Sequence, residues 1–251
     1  MIPEPLAILG AMPEEVSALI PHLHRVRTHR RAGREFHTGT LFGVQTVVVF
    51  SRWGKVAAAA TTAEVILSHG AGAVVFSGIA GSLRPDVARG DVVIADSLVH
   101  HDLNASPFFA PTEVPLLDVT ELPVDADLSR GLADAARRFL ASDARDAAGD
   151  LWGRAGIDRP RVIRGVIATG DRVIFSETDR LNVLSRVPSA LCVEMEGAAV
   201  AQVCHDHGVP FACVRTISDN ADHGGPEHVK PFFEGLAGIF AAGIVRRWLT
   251  G

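Results

Sequence analysis

Cys192-Val193-Glu194-Met195-Glu196-Gly197-Ala198-Ala199 decides how this chain is read. An apolar run, Ala190 to Val193, enters two carboxylates and leaves them for an Ala-rich helical pattern. Further along the plan repeats: Phe211 to Val214 is apolar, and Arg215-Thr216-Ile217-Ser218-Asp219 follows. In α/β proteins ligands bind beyond the carboxyl ends of such strands. A carboxylate buried there resists ionisation, which lets a protein keep an acid protonated at neutral pH. Glu194, Glu196 and Asp219 have an alternative role as helix N-terminal acids stabilised by the macrodipole. Two strand ends that each embed charge in apolar sequence favour a site.

Outward from these two motifs, the chain alternates strands and helices. Leu6 to Gly10 reads as a short buried strand, and Pro13-Glu14-Glu15 opens a helix to about His22, with proline in the first turn. Val44 to Phe50 is β-branched, Lys55 to Leu67 is an Ala-rich helix, and the strand Val74 to Phe76 closes on Ser77-Gly78-Ile79-Ala80-Gly81-Ser82. Asp91 to Ala95 is another strand, residues 102–127 are Pro-rich and irregular, and Leu128 to Leu140 is an amphipathic helix. Ser142 to Pro160 reads as a connecting excursion. Strand Val162 to Ile167, loop Ala168 to Phe175 and helix Glu177 to Arg186 lead into the two acidic strand ends and a closing helix. The pattern predicts one α/β domain over residues 1–251, with a largely buried sheet and helices on both faces. Gly78-x-x-Gly81 by itself is a weak nucleotide signal, and neither a Walker motif nor a complete Rossmann fingerprint occurs.

With 251 residues, 47% of them hydrophobic, the chain can bury a substantial core. A net charge of −5 argues against a nucleic-acid-binding surface. The densest basic run, His29-Arg30-Arg31-Ala32-Gly33-Arg34, reads as a solvated turn. Cys192, Cys204 and Cys213, an odd count with no C-x-x-C, read as buried thiols of a reducing compartment, the cytoplasm, and not as disulfides or zinc ligands. Met1 to Pro5 lacks the cationic start of a signal peptide. Phe232 to Leu249 carries Glu234, several glycines and Arg246-Arg247, so it reads as a packed helix and not a membrane span. His100-His101-Asp102 has the composition of a metal cluster, but adjacent histidines on a strand point apart, and no metal is expected. Cys204-His205-Asp206-His207 ends a helix, where histidine is favourable in any case. No G-x-S-x-G elbow supports a Ser–His–Asp triad.

Ile8 to Val16, Ser51 to Ala58, Gly78 to Leu83, Gly90 to Asp102, Thr169-Gly170-Asp171, Val193 to Ala199 and Val214 to Asp222 together give the chain its resemblance to a known family. It resembles the nucleoside phosphorylase superfamily, and within it the 5′-methylthioadenosine/S-adenosylhomocysteine nucleosidases. The segments occur in family order over almost the whole length. The resemblance implies a three-layer fold with a central mixed, twisted sheet, and hydrolysis of the bond between adenine N9 and ribose C1′. It further implies that Asp219 protonates adenine N7, that Glu15 activates the attacking water with Arg215 near it, and that Glu196 binds the ribose hydroxyls with Met195 against the sugar. The backbone of Ile174 would read the adenine edge, and Ser218 would orient Asp219. Glu196 can accept from both hydroxyls of a vicinal diol only while ionised, so the expected site holds a protonated Asp219 beside ionised Glu15 and Glu196.

The chain departs from the family's pattern around these carboxylates. Ile79 stands where a serine is usual, Val173 where a phenylalanine would stack on adenine, and Arg52-Trp53 where Gly-Ile is usual beside the 5′ substituent. Val229 occupies another 5′-pocket position that is often aromatic. Phe108 matches an aromatic that the dimer partner donates, so a homodimer is implied. No cofactor, nucleic acid or membrane is implied; the partners are a nucleoside and water. Phosphorylase relatives need cations for phosphate. Here Glu14 and Glu15 occupy the first loop and Phe76 the second position, and a carboxylate repels phosphate. Arg52, Arg84 and Arg215 are the residues that would rebuild an anion site. A non-catalytic nucleoside-binding protein on the same fold would be expected to lose Glu15 or Asp219 first.

Overall fold

A computed structural model describes residues 2–219 and 229–251, so the motif residues Asn220 to Asp222 lie outside the described part. Ten strands form one mixed sheet: β1 (Leu6–Gly10), β2 (Leu23–Arg31), β3 (Arg34–Leu41), β4 (Val44–Phe50), β5 (Ala73–Ser82), β6 (Val92–His100), β7 (Leu122–Pro123), β8 (Val162–Thr169), β9 (Ala190–Glu194) and β10 (Phe211–Asp219). Side chains alternate between the two faces, as the strand period requires. Leu6, Ile8, Val48, Val75, Ile94 and Val214 face one core; Ala7, Leu9, Val47, Val49, Val74, Phe76, Val93 and Cys213 face the other. On the first face lie α3 (Ala126–Ser142) and the last helix, here α8 (Ala237–Leu249); on the second, α2 (Lys55–His69) and α7 (Gly197–His207). The result is a three-layer α/β arrangement, as the sequence predicts. A third, smaller apolar cluster forms beside α6 (Glu177–Arg186), around Leu83, Ile174, Val183 and Val193.

The sheet partly closes on itself, which alternation alone does not reveal. β10 pairs with both β5 and β6, β6 with β8, β8 with β9, and β9 with the last two residues of β5, giving a five-stranded ring. From β5 the sheet continues through β1 and β4 to the hairpin β3–β2. Closure brings the carboxyl ends of β5, β8, β9 and β10 around one opening, with those of β1 and β4 alongside.

Several local expectations are corrected. The helix from Pro13 is α1 (Pro13–Val16) followed by a 3₁₀ segment, Ser17–His22, with Pro21 inside it; proline cannot donate the α-helical hydrogen bond. The basic run 29–34 is not a solvated turn. It belongs to strands β2 and β3, and only Ala32-Gly33 turn the chain. Arg34 is buried and donates from Nε to the carbonyl of Ser51 (3.0 Å) and from Nη1 to that of Ala32 (2.9 Å). β2 escapes sequence reading because it is an edge strand, exposed after Leu23 and without apolar alternation. The excursion 142–160 contains two short helices, α4 (Ala144–Ala148) and α5 (Asp150–Arg154), with Trp152 packed on Phe240. The closing segment, already helical at residues 229–231, passes through a wide turn, Phe232–Leu236, and bends at Gly235 (φ 149°) before α8. Among the described residues no helix is long and apolar enough to cross a membrane. The three cysteines are buried and unpaired.

Candidate active site

A cavity of about 320 Å³ opens at the carboxyl ends of these strands. Glu15, Trp53, Ile79, Val173, Ile174, Met195, Glu196, Ser218 and Asp219 all line it, as does Val229. Residues remote in sequence, from β1 to β10, therefore meet at one place.

Glu15 sits in the first turn after β1 and is fully buried. Its Oε2 accepts from the N–H groups of Ala11 (2.6 Å) and Met12 (3.1 Å), and Oε1 from that of Ile79 (3.0 Å). The bond from Met12, the N-cap residue, is the reach-back half of a helix capping box, and with the bond from Ala11 it makes this side chain fix the β1–α1 turn. Burial raises its pKa above the ordinary carboxylate value, making it a weaker acid; Arg215 and the three N–H groups oppose that rise. The tight fit explains Gly78. A Cβ there would collide with the Glu15 carboxylate and with Arg215 Nη1, so the strand can carry no side chain at that point. The glycine of the weak Gly78-x-x-Gly81 signal thus makes room for Glu15 and Arg215.

Arg215 is 1% exposed and lies over the Phe76 ring, 4.2 Å from its centroid. Its Nη2 donates to Glu194 Oε2. Glu194 also accepts from the Thr169 hydroxyl and from the N–H groups of Glu196 (3.0 Å) and Gly197 (2.8 Å). The helix-cap alternative therefore holds for Glu194, which serves the start of α7. Sequence reasoning left it out of the site residues, although it holds the buried arginine in place. Removing one member of such a pair leaves a buried charge uncompensated.

Glu194 also lines the cavity; Glu196, two residues on, differs in its partners. It is buried, lines the cavity, and accepts from the Gly54 N–H at 2.7 Å. Burial first, and then neighbouring Glu194, push its carboxyl up to about 8. That shift favours the protonated carboxyl in the empty cavity, and the ionised Glu196 expected from the resemblance is the form a bound diol would draw out. Its partner Gly54 has φ +91°, a left-handed conformation that favours glycine.

Asp219 reaches the cavity through a β-bulge. Ile217 pairs with Ala80 and Asp219 with Gly81, so β10 spends two residues where β5 spends one, and Ser218 is the extra residue. Bulges re-aim side chains in this way. Ser218 Oγ is 2.7 Å from Asp219 Oδ2 and 3.4 Å from the carbonyl of Ala80. A hydroxyl has one proton, and the shorter bond takes it. Ser218 thereby fixes the rotation of the Asp219 carboxyl.

The cradle is uneven. Ile174 and Val229 are buried, whereas Trp53 is 56% exposed and Val173 and Phe175 are partly exposed. Phe175, Phe233 and Arg172 also line the cavity. Phe233 was missed, since it sits within an apolar helical run that reads as core. Phe108 does not line the cavity of its own chain and is 86% exposed. The three arginines that would rebuild an anion site do not converge. Arg52 Nη2 donates to the Gly33 carbonyl (2.8 Å), Arg84 Nη1 to that of Pro188 (3.1 Å), and Arg215 is held by Glu194. His100 Nε2 is 3.2 Å from Gln202 Oε1, and no group of three or more His, Cys, Asp or Glu among the described residues is arranged to hold a metal ion.

Residues 5–249 match the family model of the phosphorylase superfamily. The chain is 35% identical over 233 residues to a 5′-methylthioadenosine/S-adenosylhomocysteine nucleosidase of Chromohalobacter salexigens, covering 92% of this chain and 91% of the relative. It belongs to the phosphorylase superfamily, among its 5′-methylthioadenosine/S-adenosylhomocysteine nucleosidases. Solved structures of the family share its architecture. The enzyme of that name from Neisseria meningitidis, in complex with methylthio-immucillin-A, superposes with a TM-score of 0.85 at 30% identity, over 98% of each chain. The futalosine hydrolase of Helicobacter pylori superposes at 0.79 with 30% identity, over 97% of this chain and 96% of its own.

Proposed function

We propose that this chain hydrolyses the N-glycosidic bond of 5′-substituted adenine nucleosides, 5′-methylthioadenosine, S-adenosylhomocysteine and 5′-deoxyadenosine among them, releasing adenine and a free ribose derivative. The observation that carries this reading is that Glu15 and Asp219 line one cavity while Arg52 and Arg84 are tied to backbone carbonyls and Arg215 is held by Glu194. β5 lies between the two acids: its Ile79 N–H holds Glu15, and its Gly81 pairs with Asp219. In this reading Asp219 gives a proton to adenine N7, which turns a poor leaving group into a neutral one. Glu15 takes a proton from water as it attacks C1′, with Arg215 stabilising the charged surroundings. Glu196 and Met195 hold the ribose; Ile174, Val173 and Ser218 serve the purine side; Trp53 walls the 5′ end. The Ile79 N–H takes part of the work that a serine hydroxyl would do, by fixing the carboxylate that aims the water. The whole chain, residues 1–251, is read as one domain working in the cytoplasm, as a homodimer in which Phe108 meets the partner's 5′ pocket.

A futalosine-type nucleoside is the second reading, favoured by the likeness to the Helicobacter pylori structure and by Arg172 at the cavity wall, 3.3 Å from Asp179 Oδ1. One experiment separates the readings: a panel of nucleosides, with and without phosphate, resolved by chromatography of base and sugar. Free adenine and free sugar without added phosphate are expected, with short 5′ groups preferred over the long adenosylhomocysteine chain because of Trp53. One pocket contact is worth about 10–200-fold in kcat/KM, which bounds that preference. A sugar 1-phosphate, formed only when phosphate is present, would make the protein a phosphorylase.

Glu196 adds a pH dependence with a definite sign. A diol draws the carboxylate, and below about 8 the carboxylate is the minor form. Nucleoside affinity is therefore expected to rise as pH increases from about 6 to 8, by up to tenfold per unit, and to level above it. Calorimetric titration of the Glu15→Gln variant, which removes Glu15 from the titration and blocks turnover, reads this directly. Glu196→Gln on that background should bind weakly with a flat profile. A flat profile with Glu196 present would mean that the diol is held by the neutral acid.

A further inference from the structure

Three segments meet at the cavity rim, two of which also carry residues that line it. They are the turn 52–55 between β4 and α2, the residues after β6, and the loop after β8. Asp102 joins them. Its Oδ1 accepts from Lys55 Nζ (2.6 Å) and its Oδ2 from the Asp171 N–H (2.9 Å). Asp171 closes the triangle: its Oδ1 accepts from the Lys55 N–H (2.8 Å), capping the start of α2, and its Oδ2 lies 3.9 Å from Lys55 Nζ. Each of the three residues touches the other two. The flanking residues are those of the site. Gly54, before Lys55, donates to Glu196, and Trp53 precedes it; Arg172 to Phe175, after Asp171, form the opposite wall.

The turn needs such support. Arg52 (φ +76°) and Gly54 (φ +91°) are both left-handed within three residues, a conformation that a non-glycine residue adopts at a cost. Arg52 is tied outward to Gly33. On the cavity side, besides the bond to Glu196, the hold comes through Lys55, whose partners are Asp102 and Asp171. These two carboxylates and one ammonium are only partly exposed, so the bonds are less screened than those of a surface pair.

We propose that Asp102 is a positioning residue for substrate binding. By gripping Lys55 with one oxygen and the 171 backbone with the other, it sets the distance between the Gly54–Glu196 contact and the 172–175 wall. The two halves of a nucleoside are then met by walls held in one register. This rests on the nucleoside reading above, and the test includes a readout that does not.

Asp102→Asn is nearly isosteric, but its amide must turn an NH₂ toward one of two donors. Either Lys55 or the Asp171 N–H loses its acceptor. The expected result is a KM raised about 3–30-fold, the range for one unmade charge-assisted bond that is only partly buried, with kcat changed less than about threefold. Lys55→Met should do the same, and the double variant should be no worse than the poorer single one, because both act through one link. Fluorotryptophan NMR supplies the independent readout. The resonance of Trp53 should shift or broaden in Asp102→Asn, while those of Trp152 and Trp248 stay in place. Failure of the wild type to cleave any adenine nucleoside would sink the functional reading, yet leave the Trp53 signal to judge Asp102. An unmoved Trp53 resonance, or additive losses in kcat as well as KM, would overturn the positioning role.

Discussion

Asp219→Asn is expected to lower kcat by about 10²–10⁴-fold, the contribution of a positioned general acid, while nucleoside binding changes little. Asparagine keeps the shape, and its carbonyl still accepts from the Ser218 hydroxyl that holds Asp219 Oδ2 at 2.7 Å. What it cannot do is deliver a proton to N7. The bond from C1′ must then release a purine anion, and the deficit appears only as charge develops on the base. Steady-state kinetics with binding measured separately distinguishes this from a packing defect. A kcat within about tenfold of wild type would assign the proton to another group. Ser218→Ala is the milder companion, since it frees the rotation of the carboxyl without removing the acid.

Glu15→Gln is expected to abolish detectable turnover and to retain nucleoside binding. The substitution removes the base but also touches the fold. The carboxylate accepts from three N–H groups, two on Oε2 and one on Oε1. A glutamine carbonyl can keep Ala11 and Met12, and its NH₂ then faces the Ile79 N–H, donor against donor. That costs about 1–3 kcal/mol of stability. Thermal unfolding must therefore be measured beside activity. A folded variant that binds nucleoside and does not cleave it supports Glu15 as the base. A folded variant that still hydrolyses would show that water is activated elsewhere in the cavity, with Glu15 serving only as the cap of the β1–α1 turn.

The two substitutions separate chemistry from architecture because the site uses similar groups for different ends. Glu194, Glu196 and Glu15 surround one guanidinium. Glu194 is committed to Arg215 and to the start of α7. Glu15 is committed to backbone N–H groups, and Glu196 faces the cavity with a carboxyl pushed up to about 8. Neighbours, more than residue type, assign the roles.

The sequence by itself determined the alternation of strands and helices, because short continuous apolar runs and the apolar-to-charged steps at Val193–Glu194 and Val214–Arg215 are local properties. It also determined which residues are candidates: carboxylates beyond strand ends stand out wherever the strands go. The fate of each carboxylate was not local. Glu194 and Glu196 are two residues apart in the same motif and both line the cavity, yet one is spent on Arg215 and a helix start and the other accepts from the Gly54 N–H. The difference comes from Arg215, 21 residues on, and from Gly54, 142 residues away in the chain. The bulge that aims Asp219 exists only as a register shift against β5. The β2–β3 hairpin lay hidden because a polar edge strand carries no periodic signal. The ring closure through β10, and the triangle of Lys55, Asp102 and Asp171, depend on strand order. Strand order is set by long-range packing of buried faces, and no window of sequence contains it.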